Sequence, residues 1–105
     1  MTFSLDQLND RIADRAGARP EESYTAKLLA DGLERCARKF GEEAVETVIA
    51  AISRNKADLT GEAADVLYHL LVLLRAGGVS LDDVMAQLER RTRQSGHEEK
   101  ASRKS

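Results

Sequence analysis

Apolar residues recur at helical spacing along most of the chain. Leu5, Leu8 and Ile12 stand at i, i+3 and i+7 behind Ser4-Leu5-Asp6-Gln7, where Ser4 and Gln7 have the spacing of a capping box. This predicts a first amphipathic helix running to about Arg15. Ala16 to Glu22, holding Gly17 and Pro20, reads as a loop. Leu28, Leu29, Leu33, Cys36, Ala37 and Phe40 form a second stripe, which Val45, Val48, Ile49 and Ile52 continue. The spacing predicts a long helical stretch from near Ser23. Gly32 and Gly41 interrupt it at about 1 kcal/mol each relative to Ala, and a kink or short break is expected near Gly32. Arg54 to Asp58 reads as a polar connection. A third helix is predicted from about Asp58 to Ala76, stopped by Gly77-Gly78. Ser80 caps a fourth, whose stripe is Leu81, Val84, Met85 and Leu88. From Gln94 the chain is polar and reads as a loosely structured tail.

The third helix stands apart. Ala63, Ala64, Val66, Leu67, Leu70, Leu71, Val72, Leu73 and Leu74 cover nearly its whole circumference. A helix apolar all round must be buried on several sides, and one small helical unit offers too little cover. The expected fold is therefore all-α, with four to five helices. An antiparallel helical hairpin completes its bundle through homodimerisation. The expected division is a helical domain over residues 1–93 and a basic tail over 94–105 that forms part of the active-site surround.

Composition narrows the picture. The 105 residues make one domain, and 4% aromatics with no Trp leave a core of Leu, Ile, Val and Ala. Hydrophobic residues at 42% argue against a disordered chain. The single cysteine, Cys36, excludes a disulfide scaffold, favours a reducing compartment and reads as a core or interface thiol. No signal peptide is visible, and Val66 to Leu74 is too short to span a bilayer, so a cytoplasmic protein without a membrane partner is expected. Net charge is −2, but residues 90–105 carry six Lys/Arg against two acids, +4, which leaves −6 for the rest. A basic tail on an acidic body suits either nucleic acid or a phosphorylated small molecule held near the carboxylates.

The strongest chemical signal is acidic. Glu43 and Glu46 stand at i, i+3 on the second helical stretch, beside Glu42, and Glu62 and Asp65 repeat the spacing on the third helix. In an antiparallel hairpin the midpoint of Glu46 and Glu62 is residue 54, as is that of Glu43 and Asp65. A turn near Arg54 and Asn55 puts each pair level, within about one residue or 1.5 Å of rise. Like charges gathered this way resist joint ionisation unless a cation joins them. All-oxygen ligands favour Mg2+, with Mn2+ as substitute, and hydrated Mg2+ commonly takes phosphate oxygens too. Salt bridging on a solvated face is the competing reading, with Lys39, at i−4 from Glu43, the one well-placed partner.

These residues also carry a family likeness. Glu42-Glu43-Ala44-Val45-Glu46 with Glu62-Ala63-Ala64-Asp65 resembles the EExxE…ExxD pattern of the all-α, MazG-type nucleoside triphosphate pyrophosphohydrolases. Ser23 to Leu29, Lys39 to Ala44, Asp65 to His69 and Ser95 to Arg103 are similar, more narrowly, to the phosphoribosyl-ATP pyrophosphohydrolase family of histidine biosynthesis. The likeness spans roughly residues 23–103.

The likeness implies hydrolysis of phosphoribosyl-ATP to phosphoribosyl-AMP and pyrophosphate. It implies Glu43, Glu46, Glu62 and Asp65 as Mg2+ ligands. Glu42 is expected in the outer shell or as base on the attacking water, which makes Glu42, Glu43 and Glu46 the catalytic acids. Lys27, Lys39, Arg91, Lys100 and Arg103 are the expected substrate contacts, with Ser23, Thr25 and Arg93 as further donors. His69 is expected to be a satisfied, partly buried histidine rather than a ligand. No nucleic-acid partner is expected, and the chain is expected to stand alone rather than fused to the next pathway enzyme. A housecleaning nucleoside triphosphate pyrophosphatase and a non-enzymatic helical dimerisation or nucleic-acid-binding module are the alternatives.

Overall fold

The computed structural model describes residues 2–93. Five helices follow one another: α1 (Leu5–Ala16), α2 (Tyr24–Asp31), α3 (Leu33–Ile52), α4 (Lys56–Ala76) and α5 (Leu81–Thr92). There is no strand among the described residues. The start of α1 follows the sequence closely. The Ser4 hydroxyl accepts from the Gln7 amide at 3.2 Å, and the Gln7 side chain accepts from the Ser4 amide at 2.8 Å. Ser23 and Ser80 cap α2 and α5 in the same manner, accepting from the Ala26 and Asp83 amides.

The long helical stretch breaks at Gly32, which ends α2 and begins α3. Its φ of 106° and ψ of 172° lie where only glycine sits without strain. The break redirects the chain, so that Leu28 and Cys36 meet in the core instead of lying along one rod. The Cys36 thiol donates to the Leu28 carbonyl at 3.3 Å, and burial pushes the thiol's pKa up, as befits a structural cysteine.

The turn between α3 and α4 is only Ser53, Arg54 and Asn55. Asn55 caps α4 through its side chain, so the helix starts two residues before the expected Asp58. The Asn55 amide donates to the Ala50 carbonyl and the Arg54 amide to that of Ala51, a Schellman closure. This closure puts Arg54 at φ 58°, the one non-glycine residue with positive φ among the described residues. Gly78, at φ 74°, closes α4 with the same pair of bonds, from Val79 to Leu74 and from Gly78 to Arg75.

The broadest packing is between α3 and α4, with α2 packed on both and α1 on α2 and α4. The core comprises Ile12, Leu28, Cys36, Leu71, Val72 and Leu81. It lies at the open end of the α3–α4 hairpin and leaves the half nearer the turn more solvated. There Val45, Val48 and Ile52 are 59%, 56% and 75% exposed. Helical spacing put these residues on the apolar stripe, yet nothing among the described residues covers them. They lie on a flank of α3 turned away from α4, since positions 45, 48 and 52 sit about 90° or more round from 43, 46 and 50.

Candidate active site

The short turn sets the hairpin register. With residue 54 at its centre, the layers along α3 and α4 run Glu46 with Glu62, Glu43 with Asp65, Lys39 with His69, and Cys36 with Val72. The last layer is fully buried and anchors the helices. The first two hold the acids. Ligand oxygens of Glu43, Glu62 and Asp65 lie within 4.8 Å of one another. Glu46 stands against this triad closely enough to raise both Glu43 and Glu62 by charge and hydrogen bonding.

The electrostatics of the group are unfavourable as it stands. Loss of solvent, then Glu46, then Glu43 push the Glu62 carboxyl up to about 7. Loss of solvent raises Glu43 as well, with Glu46 and Asp65 adding to it and a hydrogen bond to Glu62 opposing. The Glu43 side chain is only 13% exposed. Oε2 of Glu62 is buried with no hydrogen-bond partner. Three converging carboxylates, one with an unsatisfied buried oxygen, fit a hard divalent cation, which replaces mutual repulsion with shared attraction.

Lys39 borders the triad. Its ammonium lies 3.2 Å from Glu42 and 4.0 Å from Glu43, and these pairings raise its pKa, with Tyr24 contributing. Glu42 is exposed and paired with Lys39; it is not brought into the triad. His69 is 6% exposed, and burial lowers its pKa. Edge-on contacts to the Tyr24 and Tyr68 rings hold it, and its Nδ1 has no hydrogen-bond partner, so the expected satisfied histidine is only half met. Thr25 is occupied by the Tyr68 hydroxyl at 2.5 Å, and Ser23 by its cap.

The other basic residues are peripheral. Lys27 is exposed and sits 3.7 Å from Asp31. Arg91 is exposed in the last turn of α5, and Arg93 pairs with Glu89. Lys100 and Arg103 lie outside the described residues, as does the tail over 94–105. Sequence reasoning missed Ser53, Asn55 and Asp58, which line a concavity beside Glu46 and Glu62. The available signal was the i, i+4 spacing of Asp58 and Glu62, which puts both on one face of α4.

Comparison with known proteins identifies the family. A family model described as phosphoribosyl-ATP pyrophosphohydrolase matches residues 5–92. The phosphoribosyl-ATP pyrophosphatase of Methylobacterium nodulans is 58% identical over 103 residues, covering 98% of this chain and 96% of the relative. That of Methylobacterium radiotolerans is 60% identical over 102 residues, covering 97% and 95%. That of Dinoroseobacter shibae is 61% identical over 99 residues, covering 94% and 97%. With the acid-bearing hairpin inside the matched span and near-complete coverage on both sides, the chain belongs to the phosphoribosyl-ATP pyrophosphohydrolase family.

Proposed function

We propose that the chain hydrolyses phosphoribosyl-ATP to phosphoribosyl-AMP and pyrophosphate, the second step of histidine biosynthesis, by cleavage between the α and β phosphates. The observation that carries this reading is the convergence of Glu43, Glu62 and Asp65, with an orphaned buried oxygen on Glu62, in a chain of this family. Glu43, Glu46, Glu62 and Asp65 would hold Mg2+, which Mn2+ can replace. When bound there, the cation would supply charge neutralisation at the cleaved phosphoanhydride and a more acidic attacking water.

The remaining work falls to the chain. Lys39 binds a phosphate oxygen beside the cage, and Glu42 orients it through their 3.2 Å pair. Glu42, outside the triad and exposed beside Lys39, is the proposed base for the proton that water gives up. Lys27 and Arg91 meet outer phosphates, with Lys100 and Arg103 from beyond the described residues. Cys36, a lone thiol, fits a cytoplasmic setting. Among the described residues no single helix is long and apolar enough to cross a membrane.

The same reading takes the chain as a homodimer. Val45, Val48 and Ile52 present an apolar face on α3, and Met85 and Leu88, at 43% and 47% exposed, present another on α5. A second copy covering such faces completes the bundle, and sedimentation of the wild type beside Ile52→Asp tests it: dimer and monomer are the expected outcomes. The activity is tested by following pyrophosphate release from phosphoribosyl-ATP beside canonical and damaged nucleoside triphosphates. Preference for phosphoribosyl-ATP is expected. Preference for damaged nucleotides overturns the pathway assignment, and no metal-dependent turnover at all overturns the enzyme.

A further inference from the structure

The acidic layers have two different neighbours. Toward the hairpin turn lies a cavity of about 300 Å3, bordered by Glu46, Ile49, Ser53, Asn55, Asp58 and Glu62. Three of these side chains are carboxylates and none is a cation. Toward the open end, one helical turn along, stands Lys39, level with His69. A substrate whose bond is cleaved at the acids must extend in both directions. Its polyphosphate arm carries several negative charges and is repelled by Asp58, the carboxylate of the cavity not assigned to the cation, but meets an ammonium at Lys39. The ribose next to the cleaved bond is uncharged and offers hydroxyl donors, which a carboxylate accepts well. The cavity has room for such a group and an apolar wall at Ile49.

We infer that the substrate lies along the hairpin with one polarity: the ribose enters the cavity at the turn, where Asp58 accepts from its hydroxyls, and the pyrophosphate arm runs toward Lys39. This rests on the hydrolytic reading above and adds to it a specificity residue, Asp58, and a direction. Asp58 is suited to the task. Its backbone amide is held by the Asn55 side chain at 3.0 Å, which fixes the residue while leaving its carboxylate unused by that bond.

The test separates the two arms with two variants and two probes. Asp58→Ala retains the helix cap, because the capping bond uses only the backbone of Asp58. It is expected to raise KM for phosphoribosyl-ATP by about tenfold to a hundredfold, the loss of hydrogen bonds to a charged acceptor. Inhibition by inorganic triphosphate and Mn2+ affinity without substrate should not move. Lys39→Ala is expected to weaken inorganic triphosphate by at least about tenfold. An unchanged KM in Asp58→Ala overturns the inference. So does a loss of Mn2+ affinity in that variant matching the loss of substrate affinity, which makes Asp58 a metal ligand. Unchanged triphosphate inhibition in Lys39→Ala overturns the polarity. Wild-type protein inert toward phosphoribosyl-ATP removes the hydrolytic reading and this inference with it, whereas active wild type with an unaffected Asp58→Ala removes this inference alone.

Discussion

Cation binding should drive a proton out of the acidic cage. Without a cation the Glu62 carboxyl titrates at about 7, against an ordinary 4.5, because it has lost solvent and faces Glu46 and Glu43. At pH 7 about half of the empty sites therefore carry that proton, and at pH 6 about nine-tenths do. Since a bound cation requires the ionised carboxylate, binding releases about half a proton per site at pH 7 and nearly one at pH 6. Affinity falls about tenfold from pH 8 to pH 6. Calorimetric titration of Mn2+ into metal-free protein, in buffers of different ionisation enthalpy, reads the proton count directly. Glu62→Gln should bind weakly and release fewer protons. The linked stability has a definite sign. A folded pKa above the unfolded value means the protonated form favours the fold; this contribution is complete below about 4.5 and is lost as pH rises through about 7. Metal-free protein should thus melt higher at pH 6 than at pH 8, and Glu62→Gln should flatten that trend. Affinity and proton release both constant from pH 6 to 8 would falsify this account of the cage.

Other consequences are open to direct measurement. Asp65→Asn should cost more than about a hundredfold in turnover at fixed Mg2+, by analogy with losses at metal sites, while metal-free Tm holds or rises because a repulsion is relieved; full activity would exclude Asp65 as an essential ligand. Gly32→Ala should cost about 1–3 kcal/mol by urea unfolding, since φ 106° with ψ 172° disfavours any side chain although the space around it is open; a neutral result would show that the α2–α3 break relaxes freely. Arg54→Gly should stabilise by up to about 1 kcal/mol by relieving the positive φ at the hairpin turn; a loss of stability would mean the Arg54 side chain contributes more than its backbone costs.

The helix ends were legible where a local signal existed. Ser4 with Gln7, Ser80, and Gly77-Gly78 act through bonds to residues a few positions away, so their spacing predicts their geometry. Gly32 marked the break for the same reason. The start of α4 was misjudged because Arg54, in a glycine-like conformation, tightens the turn to three residues, and Asn55 was read as part of the connection although it is a favoured cap residue. Even so, the acid register survived, since the midpoint arithmetic depends on the centre of the turn and not on where each helix is said to begin. Glu42 shows the opposite case. It belongs to the same acidic run as Glu43, yet its neighbouring position on the helix turns it away from α4 and toward Lys39.

What the sequence determined by itself was what hydrogen bonding and periodicity over a few residues control: the helical segments with a break at Gly32, the caps at Ser4 and Ser80, and the pairing of Glu43 and Glu46 with Glu62 and Asp65. Tertiary structure alone decided which flank of each helix finds a partner. Spacing places Val45, Val48 and Ile52 on one stripe, but burial depends on what packs there, and in the single chain nothing among the described residues does. It also decided the depth of the cage, where Glu62 Oε2 is stranded from water, and the cavity at the turn that brings in Asp58. Desolvation and cavities belong to the space between helices, and that space exists only once the rods have been set side by side.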